Sequence, residues 1–164
     1  FIAYTARNDK LKSTVWLLPL EGDRKPFMIQ SAFNIREPRF SPDRRWLAYV
    51  SDESGKDEVY VESFPPGQSK FLVSTEGGTM PQWRRDGREL FYISPARMLM
   101  SVPFSGRVSG AELGAPAALL QAPSGSYNVS PDGQRFLMPL HHEDERHRTI
   151  DVVINWPSEL ASGQ

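Results

Sequence analysis

The sequence predicts an all-β fold: a partial β-propeller of about four four-stranded antiparallel blades, the first and last incomplete. Three observations carry that expectation. A turn phrase recurs as Ser41-Pro42-Asp43-Arg44, Arg85-Asp86-Gly87-Arg88 and Ser130-Pro131-Asp132-Gly133-Gln134, with its aspartates 43 and 46 residues apart. Each copy follows a short apolar segment and precedes an alternating, strand-like run. Fourteen prolines and twelve glycines punctuate the 164 residues, as many short strands joined by turns require. A β-sandwich also has many short strands, but it does not need one turn phrase to recur in one local setting.

The second unit is the most complete. Pro38-Arg39-Phe40 enters the turn, where proline fixes φ and the Ser41 and Asp43 side chains can bond nearby amides. Trp46-Leu47-Ala48-Tyr49-Val50 is a run of strong strand formers, closed by the turn residues from Asp52 to Lys56. Glu58 to Phe64 alternates with period two until Pro65-Pro66-Gly67 ends it, and Lys70 to Ser74 makes a fourth strand. The third unit repeats the order with Met80 to Trp83, Glu89 to Ser94 and Met98 to Phe104, Tyr92 standing where Tyr49 stands. A long loop from Ser105 to Ala115 then leads to an outer strand, Ala117 to Gln121.

The outer units are shorter. Ile2-Ala3-Tyr4-Thr5 aligns with Leu47-Ala48-Tyr49-Val50, so the chain enters on the second strand of a blade, followed by Thr14 to Leu20 and Lys25 to Ile29. Tyr127 to Val129, Arg135 to Met138 and Thr149 to Asn155 supply three strands of the last blade. The expectation is fourteen strands in one propeller fragment, divided into units 1–32, 33–78, 79–122 and 123–157 with a tail at 158–164. Phe1 lies inside an apolar run where a translation product would begin with methionine, so a processed or truncated piece of a longer protein is expected. The apolar surface around Ile2, Tyr4, Val15 and Leu17 is then expected to lie bare unless N-terminal blades or a homodimer partner cover it.

Composition narrows the function. Nineteen basic and twenty acidic residues give a net charge of −1 with no long block of either sign, so no basic face for nucleic acid is expected. Absence of cysteine excludes disulfides and thiolate metal sites. No stretch has the length of a membrane span, and direct membrane insertion is not expected. The aromatic residues Trp16, Trp46, Tyr49, Trp83, Phe91 and Tyr92 fall at repeated strand positions suited to packing between blades.

Candidate sites are few. Asp43, Asp86 and Asp132 could be imagined as paired carboxylates, but equivalent residues of successive blades sit around a ring, and each is expected to pin its own turn through backbone amides. His141, His142 and His147 fall in the polar segment His141-His142-Glu143-Asp144-Glu145-Arg146-His147, which offers metal-ligating side chains without the fixed spacing of structural zinc sites. A charged hairpin tip is the expectation there. Pro123-Ser124-Gly125-Ser126-Tyr127 lacks the nucleophile elbow of serine hydrolases, and no phosphate-binding glycine loop occurs. Catalytic, cofactor-binding and metal-binding residues are therefore all expected to be none, and no enzyme activity or cofactor is expected. Turn residues such as Arg44, Lys56, Arg84 and Arg88 are the better candidates for surface contacts.

The phrase Phe40-Ser41-Pro42-Asp43 followed by Trp46-Leu47-Ala48-Tyr49-Val50-Ser51 resembles the WD40-like PD40 repeat of TolB-like β-propellers. The run from Tyr127 to Leu137, with Val152-Val153-Ile154-Asn155-Trp156, is similar to the end of propeller domains attached to bacterial serine/threonine kinases. Arg44 replaces the glycine seen at Gly87 and Gly133, and Arg84-Arg85 occupy the Ser-Pro positions of the third unit. The resemblance implies a six-bladed ring and an extracytoplasmic place, either periplasmic or outside a membrane-anchored protein. It also implies a non-catalytic protein-interaction or ligand-sensing module with a protein or peptide partner. A non-catalytic gating propeller of a serine peptidase is the alternative.

Overall fold

The computed structural model describes residues 1–29, 31–107, 110–139 and 150–154. Among them, fifteen strands form four antiparallel sheets that follow one another in chain order. Sheet one holds β1 (Ile2–Arg7), β2 (Ser13–Leu18) and β3 (Phe27–Met28). Sheet two holds β4 (Ile35–Phe40), β5 (Trp46–Ser51), β6 (Glu58–Ser63) and β7 (Lys70–Leu72). Sheet three holds β8 (Thr79–Trp83), β9 (Glu89–Ile93), β10 (Met98–Arg107), β11 (Gly110–Leu113) and β12 (Ala117–Gln121). Sheet four holds β13 (Asn128–Val129), β14 (Arg135–Pro139) and β15 (Ile150–Ile154).

Alternation along each strand gives a sheet two faces, and apolar residues on both allow stacking from either side. Leu47 and Tyr49 of β5 meet Val15 and Leu17 of β2, while Ala48 and Val50 point the other way onto Leu90 and Tyr92. Phe91 and Ile93, on the far face of β9, then pack against Phe136 and Met138 of β14. The same two positions of each second strand thus face the preceding sheet, and the next positions face the following one. Three apolar cores separate four sheets, and the result is an unclosed, propeller-like row. Each fully buried Leu or Phe in these cores contributes about 1.5–3 kcal/mol of transfer free energy.

Three expectations need correction. Val15 and Leu17 are fully buried, not bare. Tyr4 pairs with Trp16 and Ile2 with Leu18, so the exposed face of sheet one carries Ile2, Tyr4, Trp16 and Leu18, and Val15 and Leu17 take the opposite face. The stretch from Ser105 to Ala115 is not a loop: β10 runs on to Arg107 and returns as β11. Sheet three therefore has five strands and the described chain fifteen, because β10 is long enough to pair with β12 along its first half and β11 along its second. The physical cause is burial, since Phe104 joins the core between sheets two and three and Ala111 and Leu113 pack against it.

Candidate functional site

The three repeated turns share one backbone pattern. The amide of Ser41, Arg84 or Ser130 donates to the carbonyl of Trp46, Glu89 or Arg135, at 2.8–2.9 Å. The amide three residues on (Arg44, Gly87 or Gly133) returns to the first residue's carbonyl at 2.9 Å. That fourth residue has φ of +61°, +72° or +73°, a left-handed conformation that suits Gly87 and Gly133 and that Arg44 adopts at some steric cost.

The aspartates close the turns. Asp43, Asp86 and Asp132 each accept a hydrogen bond from the amide two residues ahead, at 3.0–3.1 Å. Ser41 and Ser130 donate their hydroxyls to the neighbouring aspartate and accept from the amides of Trp46 and Arg135. In the middle copy Arg84 stands in the serine's place and bridges Asp86 and Glu89 at 3.0 and 3.3 Å. Partial burial opposes ionisation of Asp43, but the Ser41 hydroxyl and Arg45 outweigh it and hold the carboxyl below its ordinary value. For Asp132 the Ser130 hydroxyl and the Gln134 amide act in the same direction. These carboxylates are spent on structure.

A second repeated feature lies on the first strand of sheets two and three. Glu37 and Met80 hold φ of +57° and +58°, each before a proline and each at a register shift in its ladder. The bulges tie sheet to sheet. The Glu37 amide donates to Thr5 Oγ1 at 3.1 Å, the Met80 amide to Glu37 Oε2 at 2.6 Å, and the Tyr127 hydroxyl to the Met80 carbonyl at 2.9 Å. Sequence alone missed this chain of bonds; Pro38 and Pro81, which constrain the residue before them, were the available signal.

Open space is found between sheets. A groove of about 450 Å³ separates the turns of sheets two and three, lined by Asp43, Arg45, Trp46, Asp86, Arg88 and Gly106, among others. Asp43 pairs there with Arg45 at 2.7 Å and Asp86 with Arg84 at 3.0 Å. Arg88 is exposed and forms no ion pair among the described residues. A smaller pocket of about 240 Å³ lies across the same turn, with Phe40 and Phe64 edge to face at 5.0 Å and Arg44 at its margin. A third, of about 400 Å³, is lined in part by Ile29, Tyr49, Glu62 and Lys70. Burial, and then the Glu62 carboxylate that accepts a hydrogen bond from its hydroxyl at 3.1 Å, push the Tyr49 phenol upward and keep it neutral.

Asp43 and Asp86 thus line one groove, and Asp132 belongs to the turn of sheet four. Among the described residues no three His, Cys, Asp or Glu side chains converge on a metal position. His141, His142 and His147 lie outside the described residues. Trp46, Tyr49, Trp83, Phe91 and Tyr92 are buried between sheets, whereas Trp16 is only half-buried, on the outer face of sheet one.

No family model matches the chain. In sequence it is 34% identical over 77 residues to the Tol-Pal system protein TolB of Alkalilimnicola ehrlichii, covering 47% of this chain and 18% of that protein. It is also 35% identical over 92 residues to tricorn protease homolog 1 of Streptomyces coelicolor, covering 54% of this chain and 8% of that protein. The crystal structure of TolB from Acinetobacter baumannii superposes with a TM-score of 0.70, over 93% of this chain and 37% of that one, at 15% identity. The chain has a TolB-like β-propeller fold. This TolB-like segment spans less than a fifth of the length of the curated relatives it matches.

Proposed function

We propose that this chain is a non-catalytic protein-interaction or ligand-sensing segment of a larger bacterial propeller protein. One observation carries this: the polar side chains of the repeated turns are used up in pinning backbone, while arginines and inter-sheet grooves stay open to a partner. Propellers present such surfaces on a rigid scaffold, and function is grafted onto them. The sequence likeness to proteins named for the Tol-Pal system favours a protein or peptide partner and an extracytoplasmic place.

In this proposal units 1–32, 33–78, 79–122 and 123–157, with the tail 158–164, are four blades of a six-bladed ring. Ile2 and Tyr4 occupy the strand positions at which Leu47 and Tyr49, and Leu90 and Tyr92, are covered by a preceding sheet. Further blades, or a second copy of the chain, would cover them in the same way. The likeness to a tricorn protease homolog supports a second role, as the gating propeller of a serine peptidase.

Treating the full-length protein with a fluorophosphonate probe and, separately, with a lysine cross-linker separates the two. The interaction role predicts no covalent labelling and a cross-linked product with a second, different protein. Labelling of a serine within the same polypeptide would favour the peptidase, and loss of both products would remove the interaction role.

A further inference from the structure

The groove between sheets two and three has an open strand edge. β11 lies on the edge of β10 away from β9, and the pairing of β9 stops at Glu89 opposite Pro103. The last bond on that side is from the Phe104 amide to the Arg88 carbonyl, at 2.8 Å. From there through Gly106, β10 has a partner strand on one side only among the described residues. Unpaired strand edges are templates for an added strand.

Two further groups stand at this edge without a polar partner among the described residues. The Trp46 indole nitrogen is buried and has no hydrogen-bond partner among the described residues, in a residue only 4% exposed. It abuts Gly106, where a Cβ would sit 2.3 Å from the nitrogen, so glycine is required for the strand to come this near. A buried donor left unpaired is costly, and the indole signal reports on the packing of Gly106 against it. Arg88 supplies the charge. Asp43 pairs with Arg45, and Asp86 shares Arg84 with Glu89, whereas the exposed Arg88 guanidinium of the groove forms no ion pair among the described residues.

We infer that this groove binds an extended, acidic segment of a partner protein as an added strand on β10. The segment's backbone pairs with Gly106, and a carboxylate side chain meets Arg88 in a charge-assisted pair. Such binding rests on the interaction role proposed above and specifies its partner chemistry.

The probe is a capped, fluorescent peptide of about six residues, alternating valine and glutamate, titrated against the full-length protein by anisotropy. Saturable binding is expected, weakened at least about tenfold by Arg88→Glu and unchanged by Lys10→Glu in the distant β1–β2 turn. A peptide with lysine for glutamate, or with methylated backbone nitrogens, should bind at least about tenfold more weakly, since the first reverses the charge and the second removes strand pairing. In a ¹H–¹⁵N spectrum the indole signal lost in Trp46→Phe should shift on titration. Absence of glutamate-peptide binding, equal binding of the lysine peptide, or full binding by a folded Arg88→Glu variant overturns the groove. If the cross-linked protein partner persists in any of those cases, the interaction role stands and only its placement here fails.

Discussion

Strands β1 and β5 carry nearly the same words and have opposite fates. Ile2-Ala3-Tyr4-Thr5 and Leu47-Ala48-Tyr49-Val50 occupy the same place in their units, yet Leu47 is 1% exposed and Ile2 49%, Tyr49 3% and Tyr4 38%. Strand propensity and alternation are equal in the two. The difference lies in the neighbours: β5 has a sheet on each side, whereas β1 has one only on the Ala3 face. In a row of stacked sheets the local sequence writes both faces as apolar, and position in the row decides which face is dry.

Truncating each strand tests this most strongly. Leu47→Ala should cost about 2–5 kcal/mol, because it empties a closed core, and Ile2→Ala less than about 1 kcal/mol, read by urea denaturation of this chain. In the full-length protein the gap between the two variants should narrow if a sheet or a second copy covers β1; an unchanged gap there would tell against covering. The turn beside β5 offers a smaller effect. Asp43→Ala should destabilise by about 1 kcal/mol at neutral pH.

That loss has a definite pH window. The Asp43 carboxyl is held below its ordinary value in the folded chain, so its contribution is full above the unfolded value of about 3.9. It fades as pH falls through the folded value, and the two proteins should converge in stability in acid. A persistent difference at about pH 2 would mean that alanine acts through something other than the carboxylate. The smallest effect has the opposite sign. Arg44→Gly should raise stability by about 0.5–1 kcal/mol, because glycine accepts φ of +61° without the Cβ clash and its greater unfolded-state freedom offsets only part of the gain. A thermal melt suffices to check it.

The repeat was legible because its turn chemistry is local: Ser41, Asp43 and their counterparts bond amides within five residues, so sequence spacing carries the geometry. Side-chain parity in sheet one was not, since which of Val15 and Trp16 faces inward depends on the partner register of β1. The β10–β11 hairpin was hidden as well. Ser105-Gly106 and Ser109-Gly110 read as turn residues, and only the approach of Gly106 to Trp46, 60 positions earlier, reveals why a strand continues there. The left-handed Glu37 and Met80 were hidden for a similar reason, as their bonding partners lie in other units. The candidate groove combines residues from two sheets, and no single segment announces it.

The bulge bonds from Thr5 through Glu37 and Met80 to Tyr127 also set the order in which the molecule should open. They run one sheet to the next, like rungs joining neighbours and skipping none. Opening free energies in such an array depend on how many neighbours a unit holds. Sheets two and three are gripped from both sides and should exchange their amide hydrogens most slowly, through near-global unfolding. Sheet one is held from one side only, by one core, the bond to Thr5 and the Ser13 amide's bond to Asn34, so its amides should exchange through a local peeling that leaves the rest intact.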